Sequence, residues 1–135
     1  MAFPARARSA YNEASILSCS PRKQLIMLYD RLIGDLVAAG SAFDTGDLYA
    51  VHNSLRHAQD IVHLLMTSLR TDLWEGAAQV RDLYQYALHN LVMANLKKDR
   101  SHLDAAEAVL VPLGEAWRGA DRNLDQQEAV ADGVA

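Results

Sequence analysis

Cysteine, proline and glycine are all scarce in this chain, and each shortage narrows the choice of fold. Cys19 is the single cysteine among 135 residues, so no disulfide can form within the chain, which suits a reducing compartment such as the cytoplasm. Three prolines and seven glycines beside 50% hydrophobic residues favour helix over sheet or disorder. A chain of this length has room for one core. We therefore expect a single all-α domain located in the cytoplasm.

Long hydrophobic runs and an excess of positive charge are also missing. No run approaches the roughly 20 apolar residues that a membrane-spanning helix needs, and Arg6 and Arg8 precede no apolar stretch of a secretory signal. Lysine and arginine number 13 against 17 acidic residues, for a formal net charge of -4. Nucleic-acid affinity depends largely on clustered Lys and Arg. Neither a membrane nor a nucleic acid is an expected partner.

Four amphipathic segments fill most of the chain. The first helix is predicted from Ser20-Pro21 to about Phe43, because serine caps free N–H groups and proline is tolerated in the first turn. The second and third are predicted over residues 47–69 and 77–97, with apolar side chains at spacings of three and four. Gly46 suits the turn between the first two helices. Such a short connection predicts antiparallel neighbours.

The fourth helix carries a proline and is followed by a polar segment. It is predicted to open at Ser101, where Asp104 completes a variant of the capping box, and to end near Gly119. Pro112 lies opposite its apolar stripe, so we expect a kink and no break. Residues 121–135 show little periodic apolarity and are predicted to form a mobile C-terminal tail.

The predicted architecture is an antiparallel four-helix bundle over residues 1–120, with residues 1–19 as a flexible N-terminal segment. Its first helix has more apolar surface than one core can use. Ile26, Ile33 and Val37 lie beside the core stripe and widen the apolar arc to about 180°, against the roughly 100° that a surface helix needs. This surplus predicts a second contact surface that a partner helix can cover.

The chain offers little for catalysis. Di-iron bundles need Glu-x-x-His on two helices, whereas this sequence has Asp60 with His63 and Asp99 with His102, which the helical projection keeps apart. None of the five histidines has the neighbouring Lys and Gly of a phosphotransfer site. No nucleophile, base and orienting acid can be grouped from their spacing. We expect no enzyme activity, no metal and no cofactor.

Several short stretches occur in an order and spacing that together resemble one known family. They are Tyr11, Ser18-Cys19-Ser20-Pro21, Leu25-Ile26-Met27-Leu28-Tyr29-Asp30, Ala58-Gln59-Asp60-Ile61-Val62, Ser68-Leu69, Leu83-Tyr84-Gln85-Tyr86, Ala94-Asn95, Asp99 and Trp117. The pattern resembles the flagellar secretion chaperone FliS family. The resemblance implies a cytoplasmic, non-enzymatic chaperone that binds the C-terminal region of flagellin, prevents premature polymerisation and assists secretion. The flagellar export apparatus is a further implied partner.

The resemblance also implies roles for individual residues. Tyr11, Ile16 and Leu17 are expected to form a lid over part of a groove until flagellin displaces it. We hypothesise that the client contacts apolar residues flanking the core stripes, together with one amide that can pair with an extended backbone. These candidates are Ile26, Ile33, Ile61, Leu65, Leu88 and Asn95. For each apolar candidate, the alternative is an ordinary core position.

Two departures from the family pattern leave the client open. Arg31 follows the Leu-Tyr-Asp triplet where the family usually has glycine, and Gly76 alone remains of a glycine pair between the second and third helices. A relative with a different secreted client is therefore an alternative. So is a self-associating structural bundle whose extra apolar surface forms a homodimer when free. The sequence does not distinguish these alternatives or identify the groove.

Overall fold

The computed structural model describes residues 20–70 and 75–134, and these residues form four helices and no strand. The helices are α1 (Pro21–Thr45), α2 (Leu48–Ser68), α3 (Ala77–Lys97) and α4 (Arg100–Val134). Both α1 and α3 pack against α2 and α4, so each helix has two neighbours around one core. The short connections make successive helices antiparallel. The predicted all-α four-helix bundle is confirmed.

The first two helices are joined by capping interactions that their sequences indicate. Ser20 Oγ accepts a hydrogen bond from the Lys23 N–H at 3.3 Å and so starts α1. Gly46 ends α1 with φ of 72°, a left-handed conformation that glycine adopts without steric cost. Asp47 then caps α2 by accepting the Ala50 N–H at 3.1 Å. The predicted starts of both helices are confirmed.

The core follows the axis of the bundle and consists mainly of leucine, valine and alanine. Each helix contributes aliphatic side chains with almost no exposed surface, among them Leu32, Leu36, Val51, Leu55, Val62, Leu91, Leu103 and Leu110. Burying one such side chain contributes roughly 1.5–3 kcal/mol relative to leaving it exposed. The core stripes predicted for the four helices therefore meet, but Leu48 of α2 and Leu83 of α3, whose spacing also predicts burial, are exposed. Within the described residues, no helix combines the length and apolarity needed to cross a membrane.

The start of α4 differs from the prediction. The helix begins at Arg100, and its cap is Asp99, whose carboxylate accepts the Ser101 N–H at 2.9 Å and the Ser101 hydroxyl at 2.7 Å. These hydrogen bonds favour the ionised carboxyl and lower the pKa of Asp99. The prediction of Ser101 as the cap, with Asp104 as its partner, is wrong. Asp99 offers a carboxylate two residues before Ser101 and so takes that role.

The end of α4 differs as well. The helix continues past Gly119 to Val134, so the predicted end near Gly119 is wrong and residues 121–134 are helical. The reason is a tertiary contact: Arg22 and Lys23 at the start of α1 form ion pairs with carboxylates of this extension. Local periodicity cannot indicate such a contact. Pro112 lies on the exposed side of an unbroken α4, as predicted.

Candidate functional site

The wide apolar arc of α1 supplies surface to grooves on both of its flanks. On the α2 side, near the start of α1, lies a groove of about 350 Å³ that we call the α1/α2 groove. Its lining residues are Pro21, Gln24, Leu25, Leu28, Leu64 and Ser68. Leu25 and Leu28 also pack against the core, whereas the Leu64 side chain is 49% exposed. The groove therefore presents an apolar wall to solvent.

On the α4 side of α1, a cavity of about 230 Å³ opens between Ile33 and Val111. Val37 follows Ile33 by one helical turn and is 64% exposed. Val111 and Pro112 together line a shallower neighbouring depression on α4. We call Ile33, Val37, Val111 and Pro112 the α1/α4 window. Ile33 and Val111 line the cavity itself, together with the charged residues Asp30, Glu115 and Arg118, whereas Val37 and Pro112 lie beside it.

The floor of the window is a buried aromatic cluster with its own hydrogen bonds. The Tyr29 ring lies directly against Gly114, and the Tyr29 and Tyr84 hydroxyls are 2.6 Å apart. Trp117 donates its indole N–H to the Tyr84 hydroxyl at 3.3 Å. Burial disfavours both phenolates and raises the pKa of Tyr29 and of Tyr84. The floor is therefore held in place by packing and hydrogen bonds together.

Two ion pairs between α1 and α4 bound the window. Arg100 pairs with Asp44 and also donates to the Gly40 carbonyl at 3.2 Å. About four turns of α1 away, Arg118 pairs with Asp30. Exposed pairs of this kind contribute little to stability, and their main effect is on the geometry of the interface. They limit the apolar window to the stretch of α1 between them.

A third set of ion pairs joins the start of α1 to the C-terminal extension of α4. Lys23 Nζ lies 2.8 Å from an Asp121 carboxylate oxygen and 2.6 Å from an Asp125 oxygen. Arg22 pairs with Asp125 at 3.0 Å and donates to the Asp121 carbonyl at 3.2 Å. Hydrogen bonds to these carboxylates raise the pKa of Lys23, and the bond from Lys23 lowers the pKa of Asp125. We call these four residues the terminal clasp.

The terminal clasp also matches the electrostatics of α1. The first turn of α1 has no acidic residue and instead holds two cations, although a helix N-terminus favours negative charge. Asp121 and Asp125 bring the missing negative charge from α4. Asp121 is 7% exposed, and its Oδ1 lies 3.4 Å from Arg22 Nε. The extension of α4 therefore docks through charge and has little apolar contact to add.

The six residues predicted to contact a client do not form one surface. Ile26 lies one turn after Arg22 on the α4 side of α1 and is buried, and Ile33 lies in the α1/α4 window. Ile61 and Leu65 belong to the core cluster, and Leu65 is 2% exposed. Ile26, Ile61 and Leu65 are all buried, which matches the alternative of an ordinary core position. Ile33 alone among these four lines one of the two openings beside α1.

The remaining predicted residues lie on α3. Leu88 is half-buried against the core, and Asn95 lies two turns further along the same face. Asn95 faces His52 of α2, with the amide nitrogen 3.0 Å from His52 Nδ1. Its amide is thus already engaged within the bundle. The predicted lid residues Tyr11, Ile16 and Leu17, like Cys19, lie outside the described residues.

Sequence reasoning missed part of the surface that the structure brings together. Leu64, Val111 and Pro112 were not among the candidates, although Leu64 and Val111 flank core stripes by the same rule that selected Ile33. Pro112 is predicted on the exposed side of the fourth helix, but not as a client contact. The helical projection finds such flanking positions, but it does not show which neighbouring helix they face. Among the described residues, no three His, Cys, Asp or Glu side chains are grouped as a metal site.

Comparison with known families shows where this bundle belongs. The family model described as "Flagellar protein FliS" matches residues 4–124, which is most of the chain. The chain belongs to the FliS family. The match includes both grooves beside α1, the aromatic floor and Asp121, and it ends before the last turns of α4. The FliS family assignment made from the short stretches of sequence is thereby confirmed.

Curated FliS relatives cover nearly the whole chain at low identity. The flagellar secretion chaperone FliS of Bacillus subtilis (strain 168) is 26% identical over 127 residues, which are 94% of this chain and 95% of the relative. The protein of the same name from Salmonella typhimurium (strain LT2) is 28% identical over 122 residues, 87% of this chain and 88% of the relative. That of Escherichia coli (strain K12) is 26% identical over 111 residues. The three relatives therefore match 78–94% of this chain at low identity.

Proposed function

We propose that this protein is a cytoplasmic export chaperone that binds the C-terminal helical region of flagellin, prevents its premature polymerisation and assists its secretion. The observation that carries the proposal is the partly open apolar surface on both flanks of α1 in a FliS-family bundle. The curated relatives are named flagellar secretion chaperones. The protein acts by binding and not by catalysis, and the flagellar export apparatus is its second partner.

Helix-in-groove recognition is the binding mode that suits this surface. An amphipathic helix places an apolar stripe into a groove and leaves its polar face in water. The α1/α2 groove and the α1/α4 window run beside the same helix and offer leucine, isoleucine and valine side chains. Burying four large client side chains contributes roughly 6–12 kcal/mol before the cost of ordering the client.

We place the client contacts on the open residues beside α1. Ile33 remains a proposed contact, joined by Leu64 on the α2 side and Val111 on the α4 side. Leu88 is half-buried and is a contact if the client extends over α3. Ile26, Ile61, Leu65 and Asn95 have to become more exposed before they can take part. The lid of Tyr11, Ile16 and Leu17 stays a prediction.

Calorimetric titration of a flagellin C-terminal fragment into the full chain tests the proposal. We expect binding of one fragment per chain with a negative heat-capacity change, because apolar surface is buried. The variant Ile33→Asp should weaken binding at least tenfold, since an aspartate in the window leaves a charge unpaired against the client. Leu96→Asp is the matched control, because Leu96 is exposed on α3 away from both grooves.

Three results would contradict the proposal. These are the absence of any heat with wild-type protein, unchanged affinity of Ile33→Asp, and equal losses for Ile33→Asp and Leu96→Asp. Circular dichroism checks that each variant is folded, and Leu64→Asp replaces Ile33→Asp if the latter unfolds. Light scattering of the free protein tests the alternative. A stable dimer without affinity for flagellin would favour the self-associating bundle.

A further inference from the structure

Acidic side chains along the α1/α4 interface differ in whether they form an ion pair. Glu107 lies one turn before Val111 on α4 and lines the same depression as Val111 and Pro112. It is half-buried, yet it makes no hydrogen bond or ion pair with the described residues. Its acidic neighbours Asp30, Asp44 and Asp104 are different in this respect, because each has an arginine within 4 Å.

The register of the two antiparallel helices places Glu107 beside the window. Arg100 contacts Gly40 at one point of the interface, and Gly114 contacts Tyr29 at another. Interpolation between these two contacts puts Glu107 level with α1 residues between Ile33 and Val37. Glu107 therefore lies at the level of the window along the bundle axis and about 6 Å along the helix axis from Val111.

The surroundings of Glu107 disfavour its charge. Burial is the main reason that the pKa of Glu107 is raised, and the nearby Asp104 carboxylate raises it further. Arg100 opposes this effect, but its guanidinium is already paired with Asp44. The Ala108 carbonyl is a second acceptor, because Pro112, one turn later, has no N–H to donate to it. An incoming cation would find two acceptors without a donor at this place.

We propose that Glu107 is a specificity residue that selects client helices carrying a Lys or Arg one turn away from the apolar side chain that enters between Ile33 and Val111. The geometry fixes this spacing, since Glu107 and Val111 are themselves one turn apart on α4. The inference rests on the proposed function, in which a client helix lies beside α1. It adds a charge requirement that the apolar surface alone does not impose. A charge pair of this kind discriminates between partners more than it adds affinity.

Two synthetic amphipathic helical peptides with the same leucine stripe provide the test, used beside the flagellin C-terminal fragment. One peptide has Lys one turn from its central leucine and the other has Gln at that position. Binding to the full chain is measured by calorimetry for wild type and Glu107→Gln. We expect Glu107→Gln to weaken binding of the Lys peptide about threefold to tenfold and to leave the Gln peptide within about twofold.

A distant acid and the pH dependence serve as controls. Asp82 is exposed on α3 and lies outside the window, so Asp82→Asn should leave the preference for the Lys peptide unchanged. The preference of the wild type should decline as the pH falls through the raised pKa of Glu107, because the neutral acid no longer attracts the cation. Added salt should reduce the same preference.

The outcomes separate this inference from the proposed function. Equal effects of Glu107→Gln on both peptides, no effect on either, or failure of both peptides to bind the wild type would overturn the role of Glu107. If the flagellin fragment still binds in those cases, the proposed function stands without the inference. The flagellin fragment could fail to bind while Glu107→Gln still weakens binding of the Lys peptide as expected. In that case the window selects a basic helix from a different client.

Discussion

The close contact between Gly114 and the Tyr29 ring leads to a prediction about stability. A methyl group added at Gly114 would lie 2.9 Å from Tyr29 Cδ1 and 3.4 Å from Cε1. The ring cannot easily move away, because it is buried and its hydroxyl is held 2.6 Å from that of Tyr84. We therefore expect Gly114→Ala to destabilise the protein, although alanine is the better helix former.

Two opposing terms set the size of this effect. Overpacking of a filled core site costs about 1–3 kcal/mol, while replacing glycine by alanine inside a helix gains about 1 kcal/mol. Because the neighbouring atoms are a tethered ring, the cost should lie in the upper part of its range. The net loss should be about 1–2 kcal/mol in the free energy of unfolding. For a chain of this size, the corresponding fall in Tm is about 4–8 °C.

Gly34→Ala is the matched control for this substitution. Gly34 is also inside a helix, is exposed, and has no heavy atom within 4 Å of an added methyl group. It should gain up to about 1 kcal/mol, so the two glycine substitutions should change stability in opposite directions. Urea denaturation monitored by circular dichroism measures both. If Gly114→Ala proves as stabilising as Gly34→Ala, the reasoning is refuted.

A second variant identifies the ring as the cause. In the Tyr29→Leu background the ring is absent, so Gly114→Ala should lose most of its cost. The double-mutant cycle would then give an interaction energy of about 1–2 kcal/mol between the two positions. Additive effects of the two substitutions would mean that α4 is sensitive to alanine at Gly114 for a reason unrelated to Tyr29.

Two further predictions concern titratable groups. Burial raises the pKa of Tyr29 and Tyr84 in the folded protein, whereas both tyrosines ionise near the ordinary value of 10.0 in the unfolded chain. The free energy of unfolding should therefore keep its full value below that pH and fall above it. Tyr29→Phe should reduce this fall in urea titrations between pH 8 and 11, and an unchanged alkaline slope would contradict the prediction. In the terminal clasp, Asp121→Asn should lower the hydrogen-exchange protection of the α4 residues after Gly119 and leave that of the centre of α1 unchanged. Added salt should lower the protection of the same α4 residues in the wild type. Equal protection in variant and wild type would show that the extension needs no carboxylate at Asp121.

The bundle could be predicted from the sequence because the features that determine its helices lie close together in the chain. Ser20 and Asp47 accept the hydrogen bonds that start their helices, and Gly46 takes the left-handed conformation that ends α1. Apolar spacings of three and four determine which face of each helix is buried. These features depend on neighbouring residues in the chain, and the confirmed starts of α1 and α2 follow from them.

The extension of α4 could not be predicted in the same way. Residues 121–134 have few apolar side chains, and Gly119 resembles a helix end in isolation. What holds the extension is 98 residues away in the chain, since Lys23 bonds Asp121. A pair of cations in the first turn of α1 was a usable signal, because a helix N-terminus without acids needs negative charge from elsewhere. That signal does not say which carboxylates will supply it.

The candidate surface shows the same limit of one-dimensional patterns. The projection of α1 predicts correctly that Ile33 and Val37 lie beside the core stripe, but an apolar arc has two edges and each edge faces a different neighbour. Leu28 turns toward Leu64 of α2, while Ile33 turns toward Val111 of α4. A surplus that looks like one broad surface on a single helix is therefore divided into two openings by the bundle. Under the proposed function, a client that uses both must cross over α1 or contact the protein with two separate segments, and the second arrangement would let one small bundle bind an extended helical region.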